Sequence, residues 1–138
     1  MMKNFKLYLI KNISSSIKSL SLPNVTFTLS EPNNMDFGDL SSNIPLLIGS
    51  KQKTNPLEIG ELIAQSLNEK SLKNIIEISI TPPGFINFKI SQTFFQKKID
   101  LIIKINKHYG KGSIGSGKSA NVEFVSANPT GPLTVGHG

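Results

Sequence analysis

The residues best suited to chemistry crowd into one short stretch near the carboxyl end of this 138-residue sequence. Glu123, Ser126 and Asn128 fall on or just after an apolar run, Ala120 to Ser126, that reads as a strand. The carboxyl edge of an open α/β sheet is where ligands bind, so this strand would deliver all three side chains to a site. A rigid loop follows, Asn128-Pro129-Thr130-Gly131-Pro132, and then a helix start predicted around Leu133 to Gly136. Gly136 lets a bulky ligand approach the backbone. His137 falls in the first helical turn, where its imidazole and the free amides can face an anion. Strand, kinked loop and helix start with Gly-His together point to a nucleotide phosphate site. Each residue alone has a plainer reading: Glu123 as a solvated strand residue, Asn128 as an Asx-turn before Pro129, His137 as an ordinary imidazole. The other histidine, His108, reads as an exposed residue near a helix end.

A second motif competes for attention. Gly112-Ser113-Ile114-Gly115-Ser116-Gly117-Lys118-Ser119 matches the phosphate-loop pattern G-x-x-x-x-G-K-[ST] letter for letter. A working phosphate loop has a buried strand leading in and a helix leading out, whose amides cradle the phosphates. Here a long helix leads in and the strand of residues 121–126 leads out. The context favours a Gly/Ser/Lys linker over residues 111–119.

Composition sets the frame. There are 15 Lys+Arg against 9 Asp+Glu, a net charge of +6, and no Cys or Trp. Absence of cysteine excludes disulfides, thiolate zinc sites and cysteine nucleophiles. No apolar run approaches bilayer-spanning length, and Lys3, Lys6 and Lys11 interrupt any leader-like core, so the expectation is a cytoplasmic protein with no membrane partner. The charge is uneven: residues 1–30 hold four Lys and no acid, and residues 89–120 hold seven Lys against Asp100. Two basic stretches flanking a neutral or acidic middle suit a polyanionic partner. A lysine-rich, asparagine-rich composition gives the same count without any such partner.

The elements that must position these groups follow from periodicity. Phe5, Leu9, Ile13, Ile17 and Leu20 form a helical stripe ended by Pro23-Asn24. Val25 to Leu29 alternates with Thr and predicts a short strand. Leu40, Ile44, Leu47 and Ile48 have helical spacing, with the regular part starting near Ser41 or Ser42 so that Pro45 falls in the first turn. Asn55-Pro56-Leu57-Glu58 is a helix start, with Ile59, Leu62, Ile63, Ser66 and Leu67 as the buried face. Ile76, Ile78 and Ile80, a Thr81-Pro82-Pro83-Gly84 turn, and Ile86, Phe88 and Ile90 predict a hairpin. Ser91 caps a last helix whose buried face is Phe95, Ile99, Ile102 and Ile103, stopped by Tyr109-Gly110. Asp39, Asn43 and the Pro-Pro-Gly turn are expected to be caps and turns rather than ligands. Residues 1–110 thus predict an α+β domain, helices on a small, mostly antiparallel sheet. The strand and loop of residues 120–138 look like the opening of a second, longer domain.

The run from Val122 to Gly138 closely resembles the start of the catalytic domain of arginyl-tRNA synthetases, members of the class I aminoacyl-tRNA synthetases. Ala127-Asn128-Pro129-Thr130-Gly131-Pro132-Leu133-Thr134-Val135-Gly136-His137 is similar to the stretch that ends in their His-Ile-Gly-His element. Gly38 to Asn43 and Pro83 to Phe88 resemble phrases of the same family's N-terminal domain. The resemblance implies an α+β domain over 1–110 that contacts tRNA, a linker over 111–119, and the first strand and loop of a Rossmann-like α/β domain over 120–138. It implies a ligase that activates L-arginine with ATP and Mg2+ and transfers it to the 3′ end of tRNA(Arg). It further implies a monomer with no resident metal, and a segment that is inactive when separated from the rest of the enzyme. By position, Glu123 would receive the arginine guanidinium, and Ser126 and Asn128 its α-amino and carboxylate groups. Thr134, Gly136 and His137 would bind ATP, with His137 catalytic. Thr134 stands where His is commoner; its hydroxyl can donate one hydrogen bond but cannot carry an imidazolium's charge. The alternatives are a stand-alone RNA-binding module, separable by whether a long α/β domain follows, and the phosphate-loop fragment.

Overall fold

A computed structural model describes residues 2–113, 115–123, 131, 132, 134 and 135. It divides into two units, Met1–Leu101 and Ile102–Gly138. The first helix, α1 (Met2–Ser19), buries Phe5, Leu9, Ile13 and Ile17, the expected stripe. It ends through Ser21 at φ 54°, with Leu22 N–H donating to Ile17 O. The strand expected over Val25 to Leu29 is absent. This stretch has no regular structure, and only Ser30 forms a bridge, to Ser41. Alternation made it look like a strand, but an extended chain becomes one only where a neighbour takes its hydrogen bonds.

A 3-10 turn, Met35–Phe37, is capped by Asn34, whose Oδ1 accepts from Asp36 N–H at 3.0 Å. Strand β1 (Leu40–Ser42) follows, where the spacing predicted the beginning of a helix. The reason is tertiary. Asp39 N–H donates to Phe88 O at 2.9 Å, and the Asp39 carboxylate accepts from Ile90 N–H at 2.7 Å. These two bonds hold the chain extended beside the hairpin until Asn43. Helix α2 (Ile44–Gln52) then starts, with Pro45 in its first turn as expected.

Helix α3 (Pro56–Glu69) begins as its sequence demands. Asn55 Oδ1 accepts from Leu57 N–H at 3.0 Å, and Asn55 Nδ2 donates to Glu58 Oε1 at 3.3 Å. Its buried face is Ile59, Gly60, Ile63, Ala64 and Leu67, while Leu62 is 48% exposed, against expectation. Small Gly60 and Ala64 let the helix settle close to the sheet, which rotates Leu62 outward. Ser66 meets α1 instead, its Oγ donating to the buried Ser16 Oγ at 3.0 Å, with Lys70 Nζ donating to the same oxygen at 2.7 Å.

Strands β2 (Ile75–Thr81) and β3 (Phe85–Ile90) form the predicted antiparallel hairpin, and β1 pairs with the other side of β3, in the order β1-β3-β2. A bulge between Ile75 and Glu77 changes the phase of β2. Ile78 and Ile80 pack on the core, but Ile76 is 61% exposed. The tight turn needs Gly84 at φ 144°, where a Cβ would sit 2.6 Å from Pro56 Cβ. Helix α4 (Gln92–Ile105) is capped by Ser91, whose Oγ accepts from Phe94 N–H at 3.3 Å. Its buried residue is Phe94, one position before the predicted face. Phe95, Ile99, Ile102 and Ile103 are all exposed. A 3-10 turn, Asn106–His108, and Gly110 at φ 86° end it, and His108 is exposed as expected.

The α+β expectation for the first unit holds: helices lie on one face of a small antiparallel sheet. No helix among the described residues is long and apolar enough to cross a membrane.

Candidate nucleic-acid interface

Period two on β3 separates two kinds of side chain. Ile86, Phe88 and Ile90 are buried in the core. Phe85, Asn87 and Lys89 therefore share the other face. Register places Ser41 and Ser79 directly beside Asn87, Thr81 beside Phe85, and Glu77 beside Lys89. The segment from Ser30 to Phe37 borders this face and leaves a cavity of about 300 Å³. Among the described residues, none from a helix of eight or more residues lines the cavity over Asn87.

Ser30, Glu31, Pro32, Asn33, Asn34 and Phe37 line this cavity from the loop side, and Ser41, Thr81, Pro82, Phe85 and Asn87 from the sheet. Two aromatic rings are open to solvent there, Phe37 at 45% and Phe85 at 37%. Asn87 lies at the bottom, 2% exposed, and its Nδ2 donates to Thr81 Oγ1 at 2.9 Å. That bond fixes the amide's rotation. Flat apolar surfaces beside a fixed amide suit a planar heterocycle, held by stacking and read by one or two hydrogen bonds. Among the described residues, Glu31 is the only charged one lining the cavity, a lining that disfavours a phosphate.

Sequence reasoning missed Phe37, Phe85 and Asn87 as a site. The signal was present: an Asn between Ile86 and Phe88, on the face of β3 that points away from the core. Asp39 acts structurally, as expected. Asn43 precedes α2 without a side-chain capping bond.

In the second unit, residues 111–113 and 115–119 hold turns rather than a phosphate cradle. Ser116 N–H donates to Ser113 O and Lys118 N–H to Gly115 O, each at 3.0 Å. Residues 119–123 have no regular structure, so no helix leads out of this segment. The strand expected from residue 121 is likewise absent over Asn121, Val122 and Glu123, for no neighbouring strand pairs with it among the described residues. Glu123, Gly131, Pro132, Thr134 and Val135 are exposed. Ser126, Ala127, Asn128, Pro129, Thr130, Leu133, Gly136 and His137 lie outside the described residues.

Against known proteins, residues 7–90 match the family model described as the arginyl tRNA synthetase N terminal domain. The chain belongs to the arginyl-tRNA synthetase family. It is 37% identical over 132 residues to the arginine–tRNA ligase of Chlorobium phaeobacteroides strain BS1, a match covering 95% of this chain and 24% of the relative. It is 42% identical over 139 residues to the ligase of the DSM 266 strain, covering 99% of this chain and 24% of that protein. A third similar ligase, from Ehrlichia ruminantium, is 42% identical over 106 residues. The chain thus spans about a quarter of the length of the two Chlorobium ligases and 18% of the Ehrlichia one. The fold is shared with the crystal structure of the Plasmodium falciparum arginyl-tRNA synthetase. That likeness has a TM-score of 0.58 at 21% identity and covers 69% of this chain and 17% of the other. The synthetase family's N-terminal domain is therefore the unit that carries the sheet-face cavity.

Proposed function

We propose that this chain is the amino-terminal part of an arginine–tRNA ligase, in which residues 1–110 hold tRNA and residues 120–138 open a Rossmann-like catalytic domain, joined by the linker 111–119. The observation that carries this reading is the extent of similarity. A 42% identical arginine–tRNA ligase aligns with 99% of the chain, and so runs through the Glu123 to His137 motif as well as the N-terminal domain.

In this reading the arginine carboxylate attacks the α-phosphorus of ATP and pyrophosphate leaves. The 3′-terminal adenosine hydroxyl of tRNA(Arg) then attacks the arginyl carbonyl and AMP leaves. Glu123 receives the planar, five-donor guanidinium through paired hydrogen bonds, which a fixed carboxylate supplies and an uncharged side chain does not. Ser126 and Asn128 hold the amino and carboxylate ends. Gly136 admits the nucleotide to the backbone. His137 donates to the α-phosphate as charge builds on it, with Thr134 adding one neutral hydrogen bond. Mg2+ arrives with the triphosphate. The protein works in the cytoplasm as a monomer.

The first unit contributes grip rather than chemistry: the cavity between Phe37, Phe85 and Asn87 receives one splayed base of the tRNA.

The test is ATP–pyrophosphate exchange by the complete ligase chain. His137→Ala lowers the rate by ~100-fold or more, the scale of losing one charge-stabilising donor. An unchanged rate removes His137 from the mechanism. Residues 1–138 alone support no exchange, and measurable exchange by them refutes the domain assignment.

A further inference from the structure

The base cavity has a gap in its logic. It offers rings and an amide but no cation, while affinity for nucleic acid comes largely from phosphates. A second cavity, also of about 300 Å³, lies where α1, the turn before β2 and the start of α4 meet. Lys73 and Asn74, which line it, immediately precede β2, whereas Thr81, which lines the base cavity, ends that strand. Seven residues of strand separate the two ends by about 20 Å.

This second cavity has the opposite chemistry. Tyr8, Phe94, Lys73 and Lys98 line it, with Asn4 and Asn74, and no carboxylate does. The rings are fixed. Phe94 packs against Phe5 with ring centroids 4.6 Å apart and planes tilted by 42°, and Phe5 lies 6.1 Å from Tyr8. The Tyr8 hydroxyl accepts from Lys73 N–H at 3.1 Å, tying the phenol to the turn that carries one lysine. Lys98 Nζ sits 4.8 Å from the centre of the Phe94 ring, which holds the other. Neither lysine has a carboxylate partner among the described residues. Two lysines lining a cavity walled by aromatic rings match a nucleotide, whose phosphate takes the cations and whose base or sugar takes the ring.

We infer that this cavity is a second RNA contact, binding a phosphate between Lys73 and Lys98 and an unpaired nucleotide against Tyr8, on the same tRNA whose base enters the sheet-face cavity. The inference rests on the tRNA reading above. It divides the work between the two ends of the sheet: recognition at the Phe85 end, electrostatic hold at the Lys73 end.

The experiment measures binding of the 138-residue protein to a tRNA(Arg) transcript between about 50 and 200 mM salt. Lys73→Gln/Lys98→Gln weakens binding ~10-fold at the low-salt end and lowers the log–log salt slope by about 0.7–0.9, the loss of one neutralised phosphate. Lys11→Gln/Lys18→Gln removes the same charge from exposed positions farther along α1 and changes affinity by only about twofold. Phe85→Ala weakens binding with the salt slope unchanged. A transcript carrying 4-thiouridine cross-links to the peptide containing Tyr8. If the Phe85 variant behaves as stated but the Lys73/Lys98 variant matches the control pair, or no cross-link reaches Tyr8, the second contact is refuted and the tRNA reading stands. If the unsubstituted protein does not bind the transcript, the tRNA reading fails and this inference with it.

Discussion

Gly38→Ala is the sharpest probe of how the base cavity is built. Gly38 has φ 106° and ψ −160°, a backbone conformation that alanine reaches only under strain of about 1–3 kcal/mol. An added Cβ would also lie 2.8 Å from Phe88 O and 3.1 Å from Phe88 C. That carbonyl cannot retreat: it accepts from Asp39 N–H at 2.9 Å, and its strand is paired on both sides. Such overpacking costs a further ~1–3 kcal/mol. Together about 2–6 kcal/mol is lost, a large share of the roughly 5–15 kcal/mol that holds a domain folded. At about 4–8 °C per kcal/mol for a domain of this size, Tm falls by roughly 10 °C or more. Thermal and urea unfolding followed by circular dichroism measure it. Gly110→Ala is the matched control. It also has positive φ, at 86°, but nothing lies within 4 Å of the added Cβ. Its melting point shifts by less than about 3 °C, since it sits outside the first unit in a loose segment. A Gly38→Ala protein that melts within about 2 °C of the unsubstituted one refutes the reasoning.

Asp39→Ala leaves Ile90 N–H without its carboxylate and lowers unfolding free energy by about 1.5–3 kcal/mol, while Asp39→Asn keeps an acceptor and loses less; urea midpoints separate the two. Phe85→Ala weakens tRNA binding by about 1–3 kcal/mol, the value of one stacked base, without moving Tm by more than a few degrees, as anisotropy titration and melting together report. Lys118→Ala leaves ATP affinity of the complete ligase within about twofold, because its segment has turns and residues 119–123 behind it form no helix, and calorimetric titration checks this.

Much of the fold could be read from local signals. The α1 stripe, the Asn55 cap and the hairpin are each fixed by a few neighbouring residues, and each appears as expected. The misreadings share another cause. Leu40 to Ser42 has helical spacing, but two hydrogen bonds between Asp39 and a strand some fifty residues later, one donated and one accepted by Asp39, draw it into the sheet. Val25 to Leu29 alternates, but no strand lies alongside to pair with it. Leu62 and Ile76 are apolar at the right period, yet Gly60 turns one outward and a single-residue bulge ejects the other. On α4, Phe94 rather than Phe95 takes the core because of the Phe5 ring it meets, a contact between residues far apart in sequence. The Glu123 to His137 motif is an expectation from pattern alone, and most of it, His137 included, lies outside the described residues. The base cavity was not legible, because it joins a loop, the middle strand and a turn, and no single stretch of sequence displays more than part of it.

The bulge between Ile75 and Glu77 has a use beyond the interior of the fold. Among the described residues, β2 is an outer strand, rich in isoleucine, with one row of amides and carbonyls that no other strand covers. A flat ribbon of that kind invites a second molecule to zip onto it. The kink breaks the ribbon's regular spacing at one end, and the negative charge of Glu77 sits beside the break. A visiting strand therefore meets a misaligned ladder at its first rungs, which guards each copy of the protein against fusing edge to edge with the next.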